Sequence, residues 1–254
     1  MKLIINADDF GLSKSISDGI IEGIKGEYIT STSIMANMEY AEYAIRKAVK
    51  QNITCIGLHI NLTVGKPILY NANLIDERGE FLYNRKQIEN TKLTYEDAYR
   101  EIVAQIKTID KYSNGLIRID HLDMHHHLCD NDNIKKAVID IAEEYNVPIR
   151  NEFECDISRP DILYKDFTIK NVSLDSLRDM INKYEDKDII VELMTHPGYV
   201  DDYTKSLTSY IEREKELKVL RDAKENGIFN MIKLISYKQL KSKKIDEKGE
   251  ENER

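Results

Sequence analysis

Cysteine is scarce in this chain: its 254 residues hold three, Cys55, Cys129 and Cys155. Three scattered thiols make neither a disulfide framework nor a thiolate zinc site. Each reads as a small buried hydrophobe, although Cys55 and Cys129 flank histidine motifs and a place in a pocket wall stays open to them. No apolar run approaches the length of a membrane span. The chain passes from Met1 straight into a strand pattern without a signal-peptide pattern, so a reduced, cytoplasmic protein is expected. An excess of positive charge is missing too. The formal charge is -8, with 32% of residues charged. An acidic surface argues against a nucleic-acid binder, whose phosphate contacts need a basic face. Neither a Gly-x-Gly-x-x-Gly turn nor a P-loop follows the first strand, which weighs against an open doubly wound nucleotide-binding sheet.

What is present is enough apolar material for a full core, 41% of the residues, in a regular rhythm. Strand patterns at 2–7, 29–36, 53–60, 117–124, 147–153, 188–195 and 230–236 alternate with helical patterns at 15–25, 39–50, 94–112, 132–145, 173–184 and 203–226. Ser13 or Ser15 caps the first helix, and Ile16, Ile20, Ile21 and Ile24 share one of its faces. This alternation predicts an α/β fold of one domain: a parallel sheet covered by helices, closed as an irregular, TIM-like (β/α) barrel over residues 1–240. The stretch 61–92 breaks the rhythm and reads as a lid or small insertion. Its Lys66, Arg78 and Arg85 could meet a phosphate, with plain solvation as the ordinary role for each. Residues 241–254 are almost all charged and read as a frayed tail.

All six histidines fall at the ends of strand patterns. His59 closes Ile-Gly-Leu-His, His121, His125, His126 and His127 sit in Asp-His-Leu-Asp-Met-His-His-His, and His196 opens His-Pro-Gly. The first strand ends in Asp8 and Asp9. Imidazole and carboxylate are the usual ligands of a hydrolytic divalent metal, and four strand ends bearing them predict one pocket. Successive strand residues alternate sides, so Asp8 and Asp9 are expected to face apart, one toward a metal and one toward water, unless they merely cap the next helix. His121 and Asp123 share a strand face that His125 continues. A metal needs only some of these histidines, leaving His121, Asp123, His126 and His127 to touch substrate or to orient ligands. Pro197 and Gly198 present His196 at a defined turn, where it could protonate a leaving amine. Arg150 could hold a carboxylate such as Asp8 ionised, or lie on the surface.

Together these motifs resemble the YdjC-like carbohydrate deacetylases, the family that includes chitooligosaccharide deacetylases. The resemblance runs through Asn6-Ala-Asp-Asp-Phe-Gly-Leu-Ser-Lys14, Thr30-Ser-Thr-Ser33, Gly57-Leu-His59, Gly65-Lys-Pro67, His121-Leu-Asp-Met-His-His-His127 and Thr195-His-Pro-Gly198. It implies an irregular (β/α) barrel, a divalent ion (Mg²⁺ or Zn²⁺) on Asp9, His59 and His125, and removal of an N-acetyl group from an amino sugar. By similarity to the related NodB-like deacetylases, Asp8 would be the general base and a protonated His196 the general acid. The expected partner is a small acetylated saccharide, phosphorylated or not, with no nucleic acid or membrane, and a homodimer is the expected assembly. Another metallohydrolase chemistry, or a sugar-binding protein without activity, remains the competing reading.

Overall fold

The first strand sets the frame. In the computed structural model, which describes residues 1–152, 154–207 and 210–240, β1 (Lys2–Phe10) is buried from Leu3 onward. It is followed by α1 (Lys14–Lys25), β2 (Ser31–Ile34), α2 (Ala41–Lys50), β3 (Ile56–Ile60), a single turn α3 (Arg85–Ile88) and α4 (Tyr95–Ser113). Then come β4 (Leu122–Met124), α5 (Asp132–Tyr145), β5 (Ile162–Tyr164), α6 (Leu174–Tyr184), β6 (Ile190–Thr195), α7 (Asp202–Leu207), α8 (Arg213–Glu225) and β7 (Lys233–Leu234). The strands pair in the order β4-β3-β2-β1-β6-β5, all in parallel, and β7 joins the start of β1. The result is an irregular (β/α) barrel in one domain. Its open side lies between β4 and β5, where the Ile149 N–H donates to the Ser158 carbonyl. Among the described residues no helix is long and apolar enough to cross a membrane.

Period-two alternation sorts β1. Leu3, Ile5 and Ala7 belong to the large core shared with the helices. Ile4 points the other way, into a small apolar cluster with Ile235, Tyr237 and Leu240. Asn6 and Asp8 continue on that inner face, where Asn6 Nδ2 donates to Asp8, Ser33 and Asp123. The barrel interior is therefore apolar at the bottom and polar at the C-terminal ends of the strands, the end where such folds carry their chemistry.

Most predicted elements are present with shifted ends, and Ser13 is the cap of α1, accepting from the Ile16 N–H. Three expectations are corrected. Residues 147–152 of the expected strand 147–153 make no strand but one bridge, Ile149 to Leu122, and residue 153 lies outside the described residues; Pro148 offers no N–H to extend a ladder. The expected helix 203–226 is two, α7 and α8, and residues 208–209 between them lie outside the described residues. The strand β5 was not foreseen, because three half-buried residues carry no readable period. Stretch 61–92 is tied down by polar contacts: Glu101 accepts the N–H groups of Ile68 and Leu69, and Gln87 donates to the carbonyls of Leu62 and Leu74. The charged tail, 241–254, lies outside the described residues.

Candidate metal centre and hydrolytic site

Asp9 departs from the alternation that β1 otherwise keeps. Its φ is +66°, and the register with β2 shifts between Ala7 and Phe10. A left-handed residue at a bulge re-aims its side chain, so Asp8 and Asp9 both face the pocket instead of opposite sides. Asp9 Oδ1 lies 3.5 Å from His59 Nε2 and 3.2 Å from His125 Nδ1, and those two nitrogens are 3.2 Å apart. Ligand atoms held about 2.1 Å from one ion lie roughly 3.0–3.4 Å from each other, so the trio has the spacing of a metal site. Asp9 Oδ1 is buried and has no well-formed hydrogen bond. An orphaned carboxylate oxygen facing two imidazole nitrogens fits a cation.

The surroundings orient these groups. His59 Nδ1 donates to Asp123 Oδ1 at 2.8 Å, which turns the Nε2 lone pair toward Asp9 and His125. Burial opposes protonation of His59, yet Asp123 and Asp8 outweigh it and lift its pKa well above the ordinary imidazole value. Burial likewise opposes ionisation of Asp9, but Arg213 and the two imidazoles hold its pKa well below the usual range. The Arg213 Nη2 donates to Asp9 Oδ2 at 2.6 Å.

Behind the trio sits Arg150, whose side chain is fully buried. Its Nη1 and Nη2 take the two oxygens of Asp8 at 2.7 and 2.6 Å. Nε and Nη2 reach Glu192, and Nη2 lies 3.0 Å from Asp123. Glu192 in turn accepts from the Tyr237 hydroxyl. Burial pushes Asp8 up, but Arg150 outweighs it and leaves the pKa below 3.8. Asp8, His59 and Asp123 are also close enough to hold an ion. The Arg150 guanidinium already lies against Asp8 and Asp123, so the arrangement suits a single metal.

His196 lies across the pocket, with Nε2 3.9 Å from Asp8 Oδ2. Burial pushes its pKa down to about 4, although a quarter of the side chain faces the cavity. Burial thus favours the neutral form of the ring. The His196 N–H donates to Glu216, and Arg213 Nη1 lies 3.4 Å from the His196 carbonyl. Burial lifts the Glu216 carboxyl to about 7.

The cavity measures about 430 Å³ and is lined by Asp9, Leu12, Val64, Tyr83, His125, His126, Thr168, Ile169, His196, Leu207, Tyr210 and Arg213. His126 turns into it by way of a positive φ and holds Thr63 Oγ1 at 3.0 Å; burial drops its pKa to about 3. The remaining candidates stand away from the cavity. His121 is fully buried behind Asp123, stacked on Tyr237 at 3.8 Å and bonded to Asp120. A Cβ on Gly57 would fall 2.4 Å from its ring, so that glycine makes room for His121. His127 pairs with Glu152 at the rim. Gly198 is needed for packing: a Cβ there would meet the Ile16 Cα at 2.9 Å. No cysteine lines the cavity, nor do Lys66, Arg78 or Arg85; the two arginines pair with Asp76 and Glu80, and with Glu89.

Sequence reasoning missed Asn6, Ser33, Glu192, Arg213, Glu216 and Tyr237. A signal existed for two of them. Arg213 and Glu216 fall on the same helical stripe as Leu217 and Leu220, and charges on the apolar face of a helix mark a buried polar site.

Comparison with known proteins shows the family and the fold. The family model described as "YdjC-like protein" matches residues 2–227. A carbohydrate deacetylase of Clostridium beijerinckii is 35% identical over 94% of this chain and 100% of its own length. One of Listeria monocytogenes is 31% identical, with the same coverage of both chains. Among solved structures, a proposed cellobiose-phosphate cleavage protein of Enterococcus faecalis superposes with a TM-score of 0.84 at 29% identity, covering 93% of this chain and 97% of that one. The Xyl-CE4 domain of a multidomain xylanase from a Trinervitermes trinervoides hindgut metagenome shares the fold at 9% identity, with a TM-score of 0.52 over 92% of this chain and 86% of that one.

Proposed function

The chain belongs to the YdjC-like family, and from that premise and the site's geometry we propose that it is a metal-dependent carbohydrate deacetylase that hydrolyses the N-acetyl group of an amino sugar to acetate and free amine. The observation that carries this reading is the meeting of two devices at the floor of one cavity: the ion-spaced trio Asp9, His59 and His125, of which Asp9 and His125 line it, and the Arg150-held carboxylate of Asp8 beside the lining residue His196. Two imidazole nitrogens beside one carboxylate favour zinc or a similar ion over magnesium, which prefers oxygen ligands. When bound, such an ion supplies Lewis acidity toward a carbonyl oxygen and toward water.

The protein's own groups then move the protons. Asp8, kept ionised by Arg150, accepts a proton from the attacking water. Water's oxygen bonds to the acetyl carbon and the carbon–nitrogen bond breaks. In this reading His196 starts neutral, as its burial favours, and receives a proton during turnover. Its nearest source is Asp8, 3.9 Å away. From His196 Nε2 the proton passes to the departing nitrogen, and Asp8 is restored as a carboxylate.

Among the described residues that line the cavity, Arg213 is the one lysine or arginine, and it is engaged by Asp9. The cavity thus favours an uncharged saccharide over a phosphorylated one. The test is acetate release from diacetylchitobiose and its 6-phosphate by metal-stripped protein resupplied with zinc, cobalt, manganese or magnesium. Release that depends on the metal, and is faster from the uncharged sugar, is expected. No release with one equivalent of metal bound would reject deacetylation of these sugars.

A further inference from the structure

Two buried polar residues behind the site have no part in the chemistry above. Tyr237 and Glu192 are both fully buried, and neither lines the cavity. Glu192 stands on β6 opposite Ile4 of β1, over the apolar floor that Ile4 makes with Ile235, Tyr237 and Leu240. Tyr237 arrives from the 3-10 turn Tyr237–Gln239, past the family-matched residues 2–227. Its ring stacks on His121 with centroids 3.8 Å apart, and its N–H donates to Ser31 Oγ at 3.0 Å. Held in this way, its hydroxyl donates to Glu192 Oε2 at 2.5 Å. Burying a hydroxyl and a carboxylate beside an apolar floor is costly. Apolar side chains of the same size would pack there without either group, so packing alone does not call for this pair.

We propose that Tyr237 is a positioning residue for the base: through Glu192 it fixes the plane of the Arg150 guanidinium, and with it the orientation of the Asp8 carboxylate. This rests on the deacetylase reading above for the role it gives Asp8. Arg150 faces three buried carboxylates, Asp8, Asp123 and Glu192. Its Nη1 and Nη2 hold both oxygens of Asp8. Its Nε and Nη2 reach Glu192 through Oε1 alone. Among the described residues, the donor to the other oxygen, Oε2, is the Tyr237 hydroxyl. One anchor at each oxygen fixes the plane of the Glu192 carboxylate. The paired bonds from Nε and Nη2 then fix the guanidinium about its own stem. Without the hydroxyl, Oε2 is a buried oxygen with no donor. The carboxylate turns to share the guanidinium and draws on Nη2, the same nitrogen that holds Asp8 Oδ1. The base is thereby displaced from the water it deprotonates, and small displacements of a positioned group cost large factors in rate.

The test measures acetate release from diacetylchitobiose, zinc content and Tm. It compares wild type with Tyr237→Phe, Ile235→Ala, Asp8→Asn and the double variant of Asp8→Asn with Tyr237→Phe. Phenylalanine keeps the stack on His121 and removes one oxygen. Tyr237→Phe is expected to lower kcat about 10-fold, with KM and one zinc per chain unchanged. Asp8→Asn removes the group being positioned, so the double variant should turn over no more slowly than Asp8→Asn alone. Ile235→Ala loosens the same apolar floor but leaves the hydroxyl in place, so it should lower Tm and spare kcat. Four results would each overturn the proposal: an unchanged kcat in Tyr237→Phe, a loss of its zinc, an equal fractional loss in the Asp8→Asn background, or an equal loss in Ile235→Ala. If wild type releases no acetate, deacetylation of this sugar falls on its own. Crystal structures of wild type and Tyr237→Phe then judge the chain of contacts. A turned Glu192 with one Arg150–Asp8 bond broken supports it, and a two-bond fork unchanged from wild type overturns it.

Discussion

Asp8→Asn is expected to keep its metal and to lose about 10²–10⁴-fold in turnover. The ion-spaced trio does not include Asp8, and asparagine preserves the volume of the side chain while removing its ability to take a proton. Arg150 would still face an amide oxygen, so the pocket should keep its shape. Rates of acetate release measured beside metal content, one ion per chain in both proteins, check this. If Asp8→Asn loses the metal instead, the division of labour between Asp8 and Asp9 is reversed.

Arg150→Met should be the most damaging substitution to the fold, costing about 3–5 kcal/mol, the range found when one partner of a buried ion pair is removed. A single guanidinium compensates Asp8, Asp123 and Glu192, all of them buried. Without it their carboxyl pKa values rise in the folded state. Carboxyls with raised folded pKa values favour folding less as pH increases, because the unfolded chain then releases protons that the folded one retains. Urea denaturation should therefore show a larger deficit at pH 8 than at pH 5. A loss below about 1 kcal/mol at both pH values, the size of an ordinary surface contact, would show that the three carboxylates do not depend on this cation.

Much of this site could be read from the chain because strands impose period two. That period puts Gly57 with His59, and His121 with Asp123 and His125, and the structure aligns Leu58, His59 and Ile60 with Leu122, Asp123 and Met124 in register. Arg150 was legible for its position after an apolar stretch, even though that stretch makes only a bridge. What stayed hidden depends on tertiary context. The turn of Asp9 into the pocket is a left-handed backbone at a bulge, and nothing in Asp-Asp-Phe-Gly specifies which aspartate adopts it. Arg213 and Glu216 share a stripe with Leu217 and Leu220, but the break between α7 and α8, which brings them under His196, has no proline or glycine to announce it. Tyr237 reaches Glu192 from a 3-10 turn after β7, beyond the family-matched residues. Its contact spans 45 residues of sequence. His196 stands out by motif, but the burial that lowers its pKa is not something a motif shows.

The most direct test of the central claim is anomalous diffraction from crystals soaked in zinc or cobalt. One strong peak is expected within about 2.3 Å of Asp9 Oδ1, His59 Nε2 and His125 Nδ1, with Asp8 outside the coordination sphere and still held by Arg150. A peak bound instead by His126 or His127, or direct coordination by Asp8, would contradict the assignment of ligand and base on which the mechanism stands.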